Sequence, residues 1–247
     1  AARKVKPVVM ELGGKSPQIV LPDADLELAV NGVAAGIFPP GGQSCISGTR
    51  VLVHDSIIDE FTRKLVAVAA KAKVGPPDDP ASKIGPMANR PHYEHVLNRI
   101  AAAVDAGHEM LLDGRKACRD NGYFVGPTIF ANVPNSAELA QNEIFGPVLS
   151  TEPWRDEDDV IRTANDTIFG LAAGVWSRDV AKAMRMADRI EAGTVYINNY
   201  FNAAAQSPVG GYKQSGYGRE NGWEGMRSFM QAKSVWLSTN PDQPSPF

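Results

Sequence analysis

Cys45 lies in the stretch Gly41-Gly42-Gln43-Ser44-Cys45-Ile46-Ser47-Gly48, directly after Pro39 and Pro40, and is one of only two cysteines in 247 residues. A cysteine used for packing normally has apolar neighbours in a helix or strand. This one lies where paired glycines bend the backbone. A thiol with an ordinary pKa near ~8.5 is mostly protonated at neutral pH. To act as a nucleophile it needs a base, a helix N-terminus or backbone N–H groups aimed at the sulfur. Gly41 and Gly42 permit a sharp turn that brings amides close, and residues after Cys45 can supply an oxyanion-binding N–H. The ordinary alternative is a small buried apolar residue, since free cysteine is among the most buried residue types.

Three further stretches carry groups that suit such a nucleophile. In Glu11-Leu12-Gly13-Gly14-Lys15-Ser16-Pro17, apolar Val8-Val9-Met10 leads into Glu11 as a strand. A glutamate at a strand end before two glycines sits at the lip of a sheet, where α/β folds place their chemistry, so Glu11 is a candidate general base. Taken alone it is an ordinary solvated carboxylate. In Asn142-Glu143-Ile144-Phe145-Gly146-Pro147, an extended backbone puts Glu143 and Phe145 on one side. Glu143 then suits sugar hydroxyls and Phe145 a flat ring, against the plain alternative of a capped turn with a core phenylalanine. The stretch Ser207 to Glu220 contains Gly216-x-Gly218, but Asn221 holds the third position of a GxGxxG pattern and no strand precedes it, so the dinucleotide fingerprint is rejected. His92 and His95 lie three apart on a helical pattern without HExxH or a nearby cysteine, which reads as an exposed helix face rather than a metal site.

Repeated strand–helix units must position these groups. Val51-Leu52-Val53 reads as a strand. Ser56 and Asp59 form a weak capping box for a helix carrying Ile57, Phe61, Leu65, Val68 and Ala72, ended by Gly75-Pro76-Pro77. Pro91 opens a helix with the stripe Val96, Leu97, Ile100 and Val104, stopped by Gly107. Strands are predicted at Met110–Leu112, Val148–Glu152, Leu171–Trp176 and Val195–Ile197. Helices are predicted over Asp156–Ala164 and after Asp179, the latter carrying Val180, Met184, Ala187 and Ile190 and stopped by Gly193. The fold class is therefore α/β: a mostly parallel sheet with helices on both faces, in three layers. Asn198 to Gly218 is a long glycine-rich loop of the kind that carries function. Thr239 to Phe247, with three prolines, reads as a frayed tail.

Bulk properties narrow the classes. Hydrophobic residues make up 43% of the chain, enough for a full core, and net charge is −3. No basic run interleaved with aromatics points to nucleic acid. No apolar run approaches the ~20 residues of a membrane helix, and Ala1 to Pro7 lacks a signal core. Two cysteines without a CxxC fit a reducing cytoplasm.

Taken together, the four stretches resemble the aldehyde dehydrogenase superfamily. Glu11-Leu12-Gly13-Gly14-Lys15 resembles its glutamate motif, and Gly42-Gln43-Ser44-Cys45 with Arg50 its cysteine motif, 34 positions after Glu11. Glu143 to Val148 resembles its cofactor-ribose motif. Pro208-x-Gly210-Gly211-x-Lys213-x-Ser215-Gly216-x-Gly218-Arg219-Glu220 resembles its C-terminal signature. The resemblance implies that Cys45 attacks an aldehyde, that the thiohemiacetal becomes a thioester by loss of hydride to NAD or NADP, and that Glu11 activates the hydrolytic water. It implies that Glu143 binds the nicotinamide ribose and that Phe145 packs near the nicotinamide. The Cys45 N–H supplies half of the oxyanion hole, and Glu220 joins a proton path in some members. The presence of Glu11 favours hydrolysis over the acylating semialdehyde dehydrogenases and acyl-phosphate reductases of related fold. A non-catalytic fragment is the remaining alternative.

The same resemblance implies a division into a stub of the cofactor domain (1–13), the catalytic domain (14–213), and a C-terminal return helix and oligomerisation strand with its tail (214–247). The cofactor domain itself, and the asparagine that completes the oxyanion hole, belong to an N-terminal half outside this sequence. The isolated chain is therefore expected to bind cofactor weakly and to show no aldehyde oxidation. Ser234-Val235-Trp236-Leu237 resembles the strand that pairs across subunits, so a homo-oligomer is expected. Pro40 stands where many members have asparagine, and Val209 where phenylalanine is usual, both bearing on the substrate pocket. His92 and His95 replace a glutamine and a lysine that contact the adenine-side ribose.

Overall fold

The computed structural model describes residues 1–118, 122–239, 242 and 245–247. In chain order the elements are β1 (Met10–Glu11), β2 (Pro17–Val20), α1 (Leu26–Ala35), β3 (Arg50–His54), α2 (Ile58–Ala69), α3 (Arg90–Asp105), β4 (Glu109–Leu112), β5 (Thr128–Ala131), α4 (Glu138–Gln141) and β6 (Val148–Trp154). They continue with α5 (Glu157–Asn165), β7 (Phe169–Gly170), β8 (Ala172–Trp176), α6 (Val180–Arg189), β9 (Thr194–Ile197), β10 (Tyr212–Lys213), β11 (Gly216–Tyr217) and α7 (Gly222–Arg227). Seven strands form one sheet in the order β4-β5-β6-β3-β2-β8-β9. All its pairs are parallel except β4 with β5 at one edge.

Alternation along the strands sends side chains to two faces. Val20, Val51, Val53 and Leu149 pack with Val33 of α1 and with Phe61 and Leu65 of α2. On the opposite face Ile19, Leu52 and Val175 meet Val160 and Ile161 of α5 and Ala183 and Met186 of α6. Phe130 and Val148 extend that face against Val96 and Ile100 of α3. Phe61 and Leu65 are completely buried, and each contributes about 1.5–3 kcal/mol relative to exposure. The three-layer, mostly parallel α/β class read from the sequence is the observed one.

Helix boundaries follow the side-chain caps. Asp156, Asp179 and Asn89 each accept a backbone N–H at the start of α5, α6 and α3. The Ser56 cap is a correction. α2 starts with Ile57 in the capping position and no side-chain cap, because the Ser56 hydroxyl and N–H both turn back to His54 Nδ1. The stripe of α6 is also corrected. Val180 and Met184 are 58% and 51% exposed; Ala183 and Met186 face the sheet instead, beside Ile190, which is buried as expected. In α3 the buried positions are Val96, Ile100 and Ala103, with Val104 outside. α1, capped by Asp25, and strands β2 and β5 were not foreseen. Glu11 does not sit at the lip of the main sheet, since β1 pairs antiparallel with β11 as a separate ladder.

Ser234–Leu237 forms no strand. Val235, Trp236 and Leu237 stand 81–93% exposed, as expected of a strand sequence with no neighbouring edge to supply its hydrogen bonds. Part of the predicted frayed tail, residues 239–247, lies outside the described residues. No described helix is long and apolar enough to cross a membrane.

Candidate active site

Three of the motifs meet through close backbone approaches. A side chain on Gly14 would collide with the carbonyl oxygen of Cys45, and one on Gly13 with the carboxylate of Glu143. Gly42, at φ +65, runs against the carbonyl of Gly146, so it needs both the left-handed backbone and the missing side chain. The Gly14 N–H donates to Glu143 Oε1 at 3.0 Å. The glycines of the Glu11 motif are therefore the surface on which the cysteine turn and the Glu143 segment rest.

The Cys45 turn is fixed from several sides. Gly41 and Gly42 N–H groups donate to Phe38 and Ile37 carbonyls, each at 2.8 Å, and Ser47 N–H donates to Ser44 O at 3.0 Å. The Gln43 side chain spans to the next loop, donating to Pro86 O at 3.2 Å and accepting from Ala88 N–H at 2.9 Å. The Tyr200 hydroxyl donates to Ile46 O at 2.8 Å. Arg50, at the start of β3, is buried and donates through Nε to Lys15 O at 3.0 Å. Its other donors reach Asn135 Oδ1 at 2.6 Å, Thr163 O at 3.1 Å and Ala164 O at 2.7 Å, the last two being free carbonyls in the final turn of α5. The guanidinium thus ties the strand after Cys45 to the segment after Glu11.

Electrostatics gives each group a direction. Burial pushes the Cys45 thiol above its ordinary pKa, and the charges of Glu143 and Glu11 push it further. The backbone amides of Cys45 and Ile46 pull the other way, but burial and the carboxylates win. The backbone amides of this turn therefore do not by themselves make a thiolate. Glu11 is raised by burial and by Glu220, against a smaller opposing pull from Arg219. Its Oε1 is buried with no hydrogen-bond partner among the described residues. Glu143 is raised by burial, with the Gly14 N–H and Lys15 opposing.

Phe145 stands apart from a capped core turn. Its backbone is left-handed at φ +58 and its side chain is 38% exposed. Its ring lies edge-on to His92 at 6.0 Å between centroids. Glu143 uses one oxygen on Gly14, and Phe145 presents an open ring two residues on. That donor set fits a ribose diol and a flat heterocycle.

Two residues at the site, Lys15 and Tyr200, carry no assigned role in the sequence reading, and a third, His92, has a different place from the one read there. Lys15 is buried, and desolvation, aided by Arg50, lowers its pKa to about 7 although Glu143 opposes the shift. Tyr200 holds the carbonyl next to Cys45. His92, read as an exposed helix face, lies with Nε2 2.7 Å from Phe145 O. Only the lysine carried a signal, its place directly after the two glycines. Val209 exchanges backbone hydrogen bonds with Glu220 at 2.8 and 2.7 Å, and the Glu220 charge acts on Glu11. Among the described residues no group of three histidine, cysteine, aspartate or glutamate side chains is placed to hold a metal ion.

Comparison with known proteins places the whole chain beside a single family. The family model described as the aldehyde dehydrogenase family matches residues 1–235. The chain is 44% identical over 240 residues to a betaine aldehyde dehydrogenase of Brucella anthropi, covering 96% of this chain and 49% of that protein. It is 41% identical to a betaine aldehyde dehydrogenase of Bacillus subtilis, covering 98% and 50%. A crystal structure of betaine aldehyde dehydrogenase from Staphylococcus aureus in complex with NAD+ superposes with a TM-score of 0.96 at 39% identity, over 100% of this chain and 50% of that one. The chain spans about half the length of the relatives it matches. With nearly its whole length matched by the family model, the chain belongs to the aldehyde dehydrogenase family.

Proposed function

We propose that this chain is the catalytic half of an aldehyde dehydrogenase that oxidises an aldehyde to a carboxylic acid, with Cys45 as nucleophile. The observation that carries the reading is the packing of Gly13–Gly14 against both the Cys45 carbonyl and the Glu143 carboxylate, which puts a thiol and two carboxylates within electrostatic reach of one another. Cys45 Sγ attacks the aldehyde carbonyl carbon, and the thiol proton passes to water as the thiohemiacetal oxyanion forms. The Cys45 N–H is one donor to the resulting oxyanion. NAD, the cofactor bound by the Staphylococcus aureus relative, would when bound supply the two-electron oxidation, the thiohemiacetal carbon of Cys45 giving up hydride to leave a thioester. Glu143 would hold its ribose and Phe145 would pack beside its nicotinamide. Glu11 takes a proton from the water that cleaves the thioester, returning the acid and the free thiol.

The buried oxygen of Glu11 that no protein group engages supports the hydrolytic branch over acyl transfer, since a general base needs a lone pair not already committed to a protein donor. The raised pKa of Glu11 sets a pH limit. The base works only when ionised, so the acid limb of turnover falls above the ordinary ~4.3 of a glutamate. We further propose that turnover requires the cofactor-binding half, and that the exposed Val235–Leu237 segment pairs with a second copy. Sedimentation should then show dimers or larger species, and a sharp monomer at high concentration would count against the pairing.

Glu11→Gln in the full-length protein tests the mechanism. Thioester formation should persist and hydrolysis should slow by about 10²–10⁴-fold. The readout is a burst of NADH followed by slow turnover, with an acyl adduct on the Cys45 peptide by mass spectrometry. Turnover at the wild-type rate without an adduct would remove Glu11 from the mechanism.

A further inference from the structure

We propose that His92 is a positioning residue for the segment that carries Glu143 and Phe145, an inference that rests on the cofactor-binding reading of that segment. A phenylalanine at φ +58 occupies backbone space that bulky side chains rarely adopt and that surroundings must enforce. His92 provides the enforcement. Its Nε2 lies 2.7 Å from Phe145 O, the oxygen of the peptide joining Phe145 to Gly146, and the hydrogen bond fixes the orientation of that peptide. The imidazole ring also packs edge-on against the Phe145 ring.

His92 is itself held. It lies in the first turn of α3, where Asn89 Oδ1 accepts its N–H at 2.9 Å. His95, one turn on, stacks beside it at 6.2 Å with an 18° interplanar angle. The far side of the segment is closed by Val96, which leaves no room for a side chain on Gly146. The near side is closed by Gly14, which holds Glu143. The segment is therefore pinned at Glu143 by one backbone donor and at Phe145 by one imidazole. Nε2 must carry a proton to donate to a carbonyl, so the neutral ring is held in the Nε2–H tautomer.

Two measurements on the 247-residue chain decide this. A long-range ¹H–¹⁵N spectrum at pH 8 should show His92 with a protonated Nε2 and a bare Nδ1. A bare Nε2 overturns the proposal whatever Glu143 does. The second is the alkylation rate of Cys45 against pH, which senses where the Glu143 charge sits. His92→Phe keeps a ring and removes the donor, and His92→Gln restores an N–H at the same reach from Cβ. At pH 8, His92→Phe should speed alkylation of Cys45 about 2- to 5-fold, the effect of moving one screened charge away. His92→Gln should match the wild type, and Glu143→Gln should match or exceed His92→Phe. If Glu143→Gln changes the rate and His92→Phe does not, His92 does not position the segment. If Glu143→Gln itself changes nothing, the placement of Glu143 beside the thiol fails, and the tautomer alone decides the role of His92.

Discussion

Replacing Cys45 by alanine should cut aldehyde oxidation by the full-length protein by at least about 10⁴-fold, with little change in stability. The size follows from covalent catalysis, since removing the group that forms the intermediate leaves only binding and electrostatic contributions. Small stability change is expected because Cys45 is only half-buried and its turn is held by other atoms. Those are the Gly41, Gly42 and Ser47 amides, the Gln43 side chain and the Tyr200 hydroxyl. Cys45→Ser is the sharper control. It keeps the shape and a hydroxyl, but that oxygen is protonated at any working pH and is a far weaker nucleophile than sulfur. Steady-state rates with NAD and a panel of aldehydes check this, alongside thermal unfolding to confirm the fold. A Cys45→Ala protein that keeps a tenth of its activity would exclude the thiohemiacetal route.

Arg50→Met should lower the stability of this chain by about 3–5 kcal/mol, the range for breaking one partner out of a buried polar network. The guanidinium is almost fully buried and satisfies four acceptors on three separate segments. Methionine fills much of the volume but leaves the Lys15, Thr163 and Ala164 carbonyls without a donor, each at a desolvation cost of about 1–3 kcal/mol. The burial that holds the Arg50 pKa down to about 10 measures how unfavourable this position is for a bare charge. Hydrogen bonds and the charges of Glu152 and Asp166 offset it. Arg50→Lys should recover only part of the loss, because a single ammonium cannot span a forked set of acceptors. Urea unfolding should show the Arg50→Met midpoint falling by about 1–2 M with an unchanged slope. A loss below about 1 kcal/mol would mean that water replaces the guanidinium at low cost. The substitution also frees Lys15 O, the contact that joins the Glu11 segment to the strand following Cys45. Misplacement of the two groups should accompany the loss of stability.

The parts of this molecule legible in the sequence are those set by local chemistry. Asp156, Asp179 and Pro91 mark helix starts because a cap or a fixed φ acts over three or four residues. Apolar runs such as Val51–Val53 mark buried strands. The α6 stripe was misplaced because alanine is weakly hydrophobic. Val180 and Met184 attract the eye, while Ala183 and Met186 face the sheet in a register that β8 and β9 impose. α1 has a weak signal for the same reason, its buried face being half alanine: Ala29, Val30, Val33 and Ala34. The site was legible as motifs, since Cys45, Glu11, Glu143 and Phe145 each stand in a marked stretch. How those stretches fit was not, because the contacts span long separations. Gly14 meets Glu143 across 129 positions, Tyr200 meets Ile46 across 154, and His92 meets Phe145 across 53. Nor does a glycine pair state which atoms it must approach. The direction of the Cys45 pKa depends on a balance of burial, two carboxylates and two amides that spacing does not contain.

The proposed mechanism stands or falls on Cys45 sharing a site with Glu11 and Glu143. Alkylation of Cys45 and of Cys118, followed separately by mass spectrometry across pH in the 247-residue chain, examines that directly. The two carboxylates and burial should hold the Cys45 thiol protonated, so its profile should rise above the ordinary thiol range of ~8.5. Glu11→Gln and Glu143→Gln should each move it down. A Cys45 that reacts fully at pH 6–7, or a profile untouched by both substitutions, would show that the carboxylates do not face the sulfur, and the proposed division of roles would be wrong.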